Sequence, residues 1–86
     1  MKDENALEFP AHFFGAEELG VLIKKTRKLR GITQTELSMR TNTSKKFISN
    51  VENGKETAHI GKVLLLLRVL ELGTCLIDLG NRKNNG

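Results

Sequence analysis

Lys45, Lys46, Ser49 and Asn50 fall at spacings of three and four, so on a helix they are neighbours along one side, while Ile48 and Val51 point the other way. Their ammonium, hydroxyl and amide groups are all hydrogen-bond donors. A row of donors on one exposed helix suits the floor of a DNA major groove. That groove admits one α-helix and offers the N7 and O6 acceptors of guanine and the N6/N7 edge of adenine. Lysine donates to guanine and asparagine pairs with adenine through two bonds, each good pair giving about 1–3 kcal/mol of discrimination. Lys45 and Lys46 have a second option, contact with phosphate alone. Gln34, Ser44, Asn53 and Lys55 flank the same segment as candidates for phosphate. Gln34 and Ser44 stand at helix starts, where free amides and the positive dipole end favour an anion. Thr33 and Thr43 are further candidates for such contacts. Phe47 is open to two readings, contact with a thymine methyl group or packing at a helix junction.

Such a face needs short helices to hold it, and residues 33–55 carry their punctuation. Thr33 followed three residues later by Glu36 is a capping box: the hydroxyl accepts from the third amide of the helix, and the carboxylate returns to the cap amide. A helix over 34–41 follows. Asn42 stands where the chain must turn, and asparagine tolerates the left-handed region. Ser44 caps a second helix that ends with Gly54 at its C′ position. Two helices of about two turns with so short a link cross steeply, as a helix-turn-helix. Upstream, Leu19, Leu22, Ile23 and Leu29 recur at helical spacing over 16–30, with Thr26 on the same stripe. Glu17 and Glu18 begin that helix and five Lys/Arg crowd its end, matching the helix dipole, before Gly31 stops it. Arg27 and Glu52 fall near the apolar stripes of their helices and are expected to pair, tying the first helix to the third. The alternative is an Arg27 solvated with its neighbours.

Residues 60–72 are apolar on nearly every side, which predicts a helix buried on two faces, one of them a subunit interface. After Gly73, residues 74–79 read as a β-strand, apolar and β-branched with a period of about two. It has no partner within the chain, so pairing with the same strand of a second copy is the simplest way to satisfy its backbone. The expected dimer interface is Leu70, Leu72, Thr74, Cys75, Leu76, Ile77 and Asp78. Residues 1–15 read as an irregular arm carrying three of the four phenylalanines, part of it packed on the chain's own core or on a partner. Residues 16–80 are then one DNA-binding and dimerisation domain, and the polar tail 81–86 is expected to be disordered.

Composition narrows the classes. A chain of 86 residues buries only about 60–65 % of its unfolded surface, so a lone monomer is marginal and oligomerisation helps. Between residues 24 and 55 there are nine Lys/Arg against two Glu, a local balance of +7, which leaves −3 for the rest of a chain of net charge +4. A concentrated positive segment fits a polyanion, because each neutralised phosphate releases condensed counterions. It also fits a merely solvated helix face. Cys75 is alone, which excludes an internal disulfide, and with His12 and His59 it offers no spacing suited to a metal, so no cofactor is expected. The absence of an 18-residue apolar run and of a secretory start predicts a soluble, cytoplasmic protein. There is no nucleophile–base–orienter set and no phosphate-binding glycine loop, so an enzyme is not expected.

With those residues in view, the stretch 19–73 resembles the Xre/Cro-repressor-like helix-turn-helix family. The resemblance rests on Ile23, Arg27, Gly31, the Thr33-Gln34-x-Glu36-Leu37 start, Ile48-Ser49-Asn50 and Glu52-Asn53-Gly54-Lys55. Within that family the chain is most similar to HipB-type antitoxins, through Thr33-Gln34, Ile48-Ser49-Asn50-x-Glu52-Asn53, and Leu70-Glu71-Leu72 followed by the short strand to Asp78. The resemblance implies an all-α, lambda-repressor-like domain of four or five helices whose short C-terminal strands pair across a dimer. It also implies a double-stranded operator with two half-sites, autorepression of a toxin operon, and a HipA-like serine/threonine kinase as partner. Ser38 departs from a position that is usually small, often alanine, and Asn42 from one that is commonly glycine. Lys45 and Lys46 replace residues that vary with operator sequence, so the target bases are not implied. Three functions stay open: a repressor, a repressor that also restrains a toxin kinase, and an interaction module that has lost DNA binding.

Overall fold

The computed structural model describes residues 7–80. Four helices form within them: α1 (Ala16–Leu29), α2 (Gln34–Arg40), α3 (Lys45–Glu52) and α4 (Ile60–Val69). All four end alike. In each, the residue after the C-cap takes a left-handed conformation, φ being 71° at Gly31, 54° at Asn42, 83° at Gly54 and 62° at Glu71. The next amide then bonds back across the last turn: Ile32 N–H to Arg27 O at 3.1 Å, Thr43 to Ser38 at 2.9 Å, Lys55 to Asn50 at 3.0 Å and Leu72 to Leu67 at 2.8 Å. These are Schellman closures, which satisfy carbonyls that the helix itself leaves unpaired.

The starts follow the expected chemistry for α2 and α3. Thr33 and Glu36 form the reciprocal capping box, and the Ser44 hydroxyl accepts from the Phe47 amide at 2.9 Å. The backbone amide of Thr33, with its hydroxyl, holds the Glu36 carboxyl below its ordinary range. A folded value below the unfolded one means the box contributes fully at neutral pH and is lost as pH falls through the folded value. At α4 the cap is His59, whose Nδ1 accepts from the Lys62 amide at 3.4 Å. Ser38 is buried and turns its hydroxyl back to Thr35 O at 2.7 Å, so it fits without an unpaired group.

Ile23 of α1, Leu37 of α2, Ile48 of α3 and Leu66 of α4 are fully buried together with Leu70, and Ile32, Val51, Val63 and Leu67 complete the core. Each such side chain stabilises the fold by about 1.5–3 kcal/mol on burial.

Several expectations need correction. α4 ends at Val69, not at residue 72, because Glu71 turns left-handed and folds Leu72 back onto the core. Leu70, expected at a dimer interface, is fully buried within its own chain and has no surface to offer a second copy. Leu29 is not part of the buried stripe: it is 50 % exposed, whereas Gly20, Ile23, Thr26 and Arg27 form α1's inner face. Among the described residues no strand forms; residues 73–78 are irregular, since a strand exists only through a ladder partner and one chain supplies none. The part of the arm that is described, residues 7–15, carries no helix or strand. Its phenylalanines do not pack on the core, however, for Phe9, Phe13 and Phe14 are all exposed. The helices close the core without them. Residues 1–6 of the arm and the tail 81–86 lie outside the described residues.

Gly20, not singled out by any spacing, sets how closely α1 approaches α3. A Cβ there would overlap Val51 O and stand 2.8 Å from Glu52 O, both backbone atoms that cannot swing aside. Gly20→Ala is therefore expected to destabilise the protein by about 2 kcal/mol or more, despite alanine's better helix propensity. A melting temperature equal to or above wild type would show that the helices can separate to admit the methyl group.

Candidate nucleic-acid interface

α3 presents two chemically opposite faces. Ile48, Val51 and Glu52 are buried, while Lys45 and Lys46 are exposed and Ser49 and Asn50 are half-exposed. The structure thus brings the four proposed base-reading residues to one solvent-facing side of a single helix. Phe47 lies at the edge between the two faces, half-buried against the core, which favours packing over contact with a base. The ammonium of Lys62, from the first turn of α4, lies 5.8 Å from the centre of its ring.

The inner face is locked by charge. Glu52 accepts from Arg27 Nε at 2.6 Å and Nη2 at 3.1 Å, and from Gln34 Nε2 at 3.0 Å. Arg27 Nη1 donates further to Ile32 O at 2.9 Å. The two ionic side chains are only 9 % and 2 % exposed. A charge pair withdrawn from water is tolerable when every donor and acceptor is used, and among the described residues no buried side-chain N or O atom lacks a partner. The expected Arg27–Glu52 pair therefore forms, and it joins α1, the α1–α2 link, the start of α2 and the end of α3.

The four candidate phosphate residues lie around this core. Gln34 has given one amide N–H to Glu52 and keeps a second. Ser44 uses its oxygen as the α3 cap, which leaves the hydroxyl proton free to donate. Asn53 and Lys55 are exposed just beyond α3, with Asn53 Nδ2 directed at Ser49 Oγ over a long 3.4 Å. Not all the basic residues of the segment gather here. Arg30 donates from Nε to Leu70 O at 3.1 Å, and with Arg40 it lines an open cleft of about 390 Å³ to which α3 contributes nothing. Sequence spacing missed Gly20, Arg30 and Lys62, because each acts across elements distant in the chain. Among the described residues no cluster of His, Cys, Asp and Glu could hold a metal ion, and no helix is long and apolar enough to cross a membrane.

Residues 23–77, spanning two capped helices and the helices that brace them, match the helix-turn-helix family. The chain belongs to that family. This helix-turn-helix protein is 35 % identical over 66 residues to an uncharacterised HTH-type transcriptional regulator, y4mF, of Sinorhizobium fredii, a match covering 77 % of this chain and 87 % of the relative. Its fold is similar to that of HipB in a HipB-O4 20mer complex, with a TM-score of 0.74, 28 % identity, and coverage of 80 % of this chain and 97 % of that one. A chain of a HipA-HipB-O2-O3 complex is similar to the same degree, with TM-score 0.74, 28 % identity and the same two coverages. Membership makes the helix-turn-helix protein a DNA-binding transcriptional regulator.

Arg27→Met or Glu52→Met alone is expected to cost about 3–5 kcal/mol in denaturant unfolding, because either leaves a buried charge unpaired. The double replacement should recover most of that loss. Single variants within about 1 kcal/mol of wild type would mean that water reaches the pair.

Proposed function

We propose that this chain is a homodimeric, sequence-specific repressor that reads a double-stranded operator of two half-sites in the cytoplasm. We further propose that it is the antitoxin of a HipBA-like module, autoregulating its operon and binding a HipA-like serine/threonine kinase toxin. The observation that carries the first part is the exposed donor row on α3, held by a helix whose other side is locked through Glu52. Lys45, Lys46, Ser49 and Asn50 are assigned to base edges, and Gln34, Ser44, Asn53 and Lys55 to phosphates. Each phosphate residue retains an uncommitted donor, as that role requires.

The dimer is supported by apolar surface that the single chain leaves uncovered. Ile60 and Leu64 of α4 are exposed, and so are Leu76, Ile77 and Leu79 beyond it. With the interface shifted off Leu70, we assign it to Leu72, Thr74, Cys75, Leu76, Ile77 and Asp78, with residues 74–78 of two copies pairing as a short ladder. Two reading helices would then lie about one helical turn, roughly 34 Å, apart on the duplex. The antitoxin part rests on the likeness to HipB, including HipB in complex with HipA. A stand-alone regulator is the second reading, favoured by the more identical y4mF relative. The neighbouring reading frame separates them: a kinase-like product that co-purifies with this chain supports the antitoxin, and a kinase-like product that forms no complex removes it.

Lys46→Ala and Asn50→Ala are each expected to lower affinity for a duplex of the protein's own promoter region by about 1–3 kcal/mol in fluorescence anisotropy. Equal wild-type affinity for the promoter and for a scrambled duplex would sink the sequence-specific repressor. Deleting residues 74–79 should shift the protein toward monomer in light scattering; an unchanged mass would remove the strand-pairing proposal.

A further inference from the structure

We propose that Lys62 contacts the DNA phosphate backbone from outside the helix-turn-helix, using the ring of Phe47 as its platform. The proposal rests on the DNA-binding reading above. On α3, Phe47 and Asn50 are three residues apart and so adjoin on the surface, which puts Phe47 at the Asn50 edge of the reading face. Lys45 and Ser49, four apart, mark the opposite edge. A helix with its side chains is about 10–12 Å across, and the major groove is about 12 Å wide. A helix seated there fills the groove, so its two edges face the two phosphate rows that line it.

A cation at each edge would therefore meet one backbone each. Lys45 stands at one. At the other, α3 itself offers the Phe47 ring, and Lys62 supplies the missing charge by lying 5.8 Å from the ring centre, within the roughly 6 Å range of a cation–π contact. Lys62 is exposed. Among the described residues, the one ion pair is Arg27–Glu52, so no described carboxylate competes for the ammonium. An ammonium held over a ring by its charge keeps its N–H donors available, and its partial confinement reduces the freedom lost on binding. Phe47 is thus a positioning residue, a role that also accounts for why it is only half-buried.

The test compares wild type, Lys62→Met and Lys62→Arg on a duplex of the protein's own promoter region and on a scrambled duplex across a range of salt. Methionine keeps an apolar stem over the ring and loses the charge, and thermal unfolding of each variant controls for stability. For Lys62→Met the slope of log affinity against log salt should become shallower by about 0.9 per protomer, about 1.8 for a dimer on two half-sites. The affinity loss should be alike on both duplexes, and Lys62→Arg should retain the wild-type slope. A Lys62→Met slope equal to a steep wild-type slope overturns the assignment and leaves the DNA reading standing; so does a loss confined to the promoter duplex. A flat wild-type response removes the DNA reading and this assignment with it.

Discussion

Glu52 is the residue on which the arrangement turns. Its two carboxylate oxygens receive three donors, two from Arg27 in α1 and one from Gln34 at the start of α2, while its own helix carries the exposed donor row on the other side. A buried carboxylate tolerates little displacement, since moving it strands either its own charge or the guanidinium. The network therefore does more than hold α1 to α3. It fixes the angle at which α2 leaves the link at Ile32, whose carbonyl Arg27 also binds. A flexible contact at this place would let the two short helices swing relative to each other, and their separate surfaces would no longer make one interface.

Close backbone approach makes the network possible. Gly20 lets the carbonyls of Val51 and Glu52 come against α1, and Gly54, left-handed at the end of α3, stands where a side chain would strike the Glu17 backbone. The end of α3 is thus clasped along the first half of α1, and Glu52 reaches from there to Arg27. Two helices of seven and eight residues have little stability of their own. Caps at their starts, Schellman closures at their ends and the Ile48–Leu37 core between them take the place of length.

The same economy of size leaves surface exposed. α4 directs Val63, Leu66 and Leu67 inward with Leu70, and leaves Ile60 and Leu64 to solvent. The segment after Leu72 adds Leu76, Ile77 and Leu79. One chain has consumed a single face of α4, and the proposed second copy is the use found for the other. Charge divides in a similar way: Arg27 is spent inside the fold and Arg30 is turned toward the end of α4, so the cations left for the proposed interface are the lysines of α3, Lys55 and Lys62.

Much of the local chemistry of residues 33–55 was legible from the chain. The Thr33/Glu36 box, the Ser44 cap, the left-handed Asn42 and the Gly54 stop each depend on residues within a few positions of one another, and the turn's short-range sterics decide them. The Arg27–Glu52 pair was legible too, because charges near apolar stripes need partners. The end of α4 was not. A glycine lay waiting at position 73, yet Glu71 took the left-handed turn, because Leu72 gains burial by folding back onto the core. Nor could periodicity tell that Leu70 belongs to the core or that Lys62 lies beside Phe47. Those outcomes depend on what stands opposite each residue in space. The sequence by itself determined where the helices begin and which side of α3 carries donors; only the tertiary structure decided which apolar residues remained to be covered and which distant cation came to lie beside Phe47.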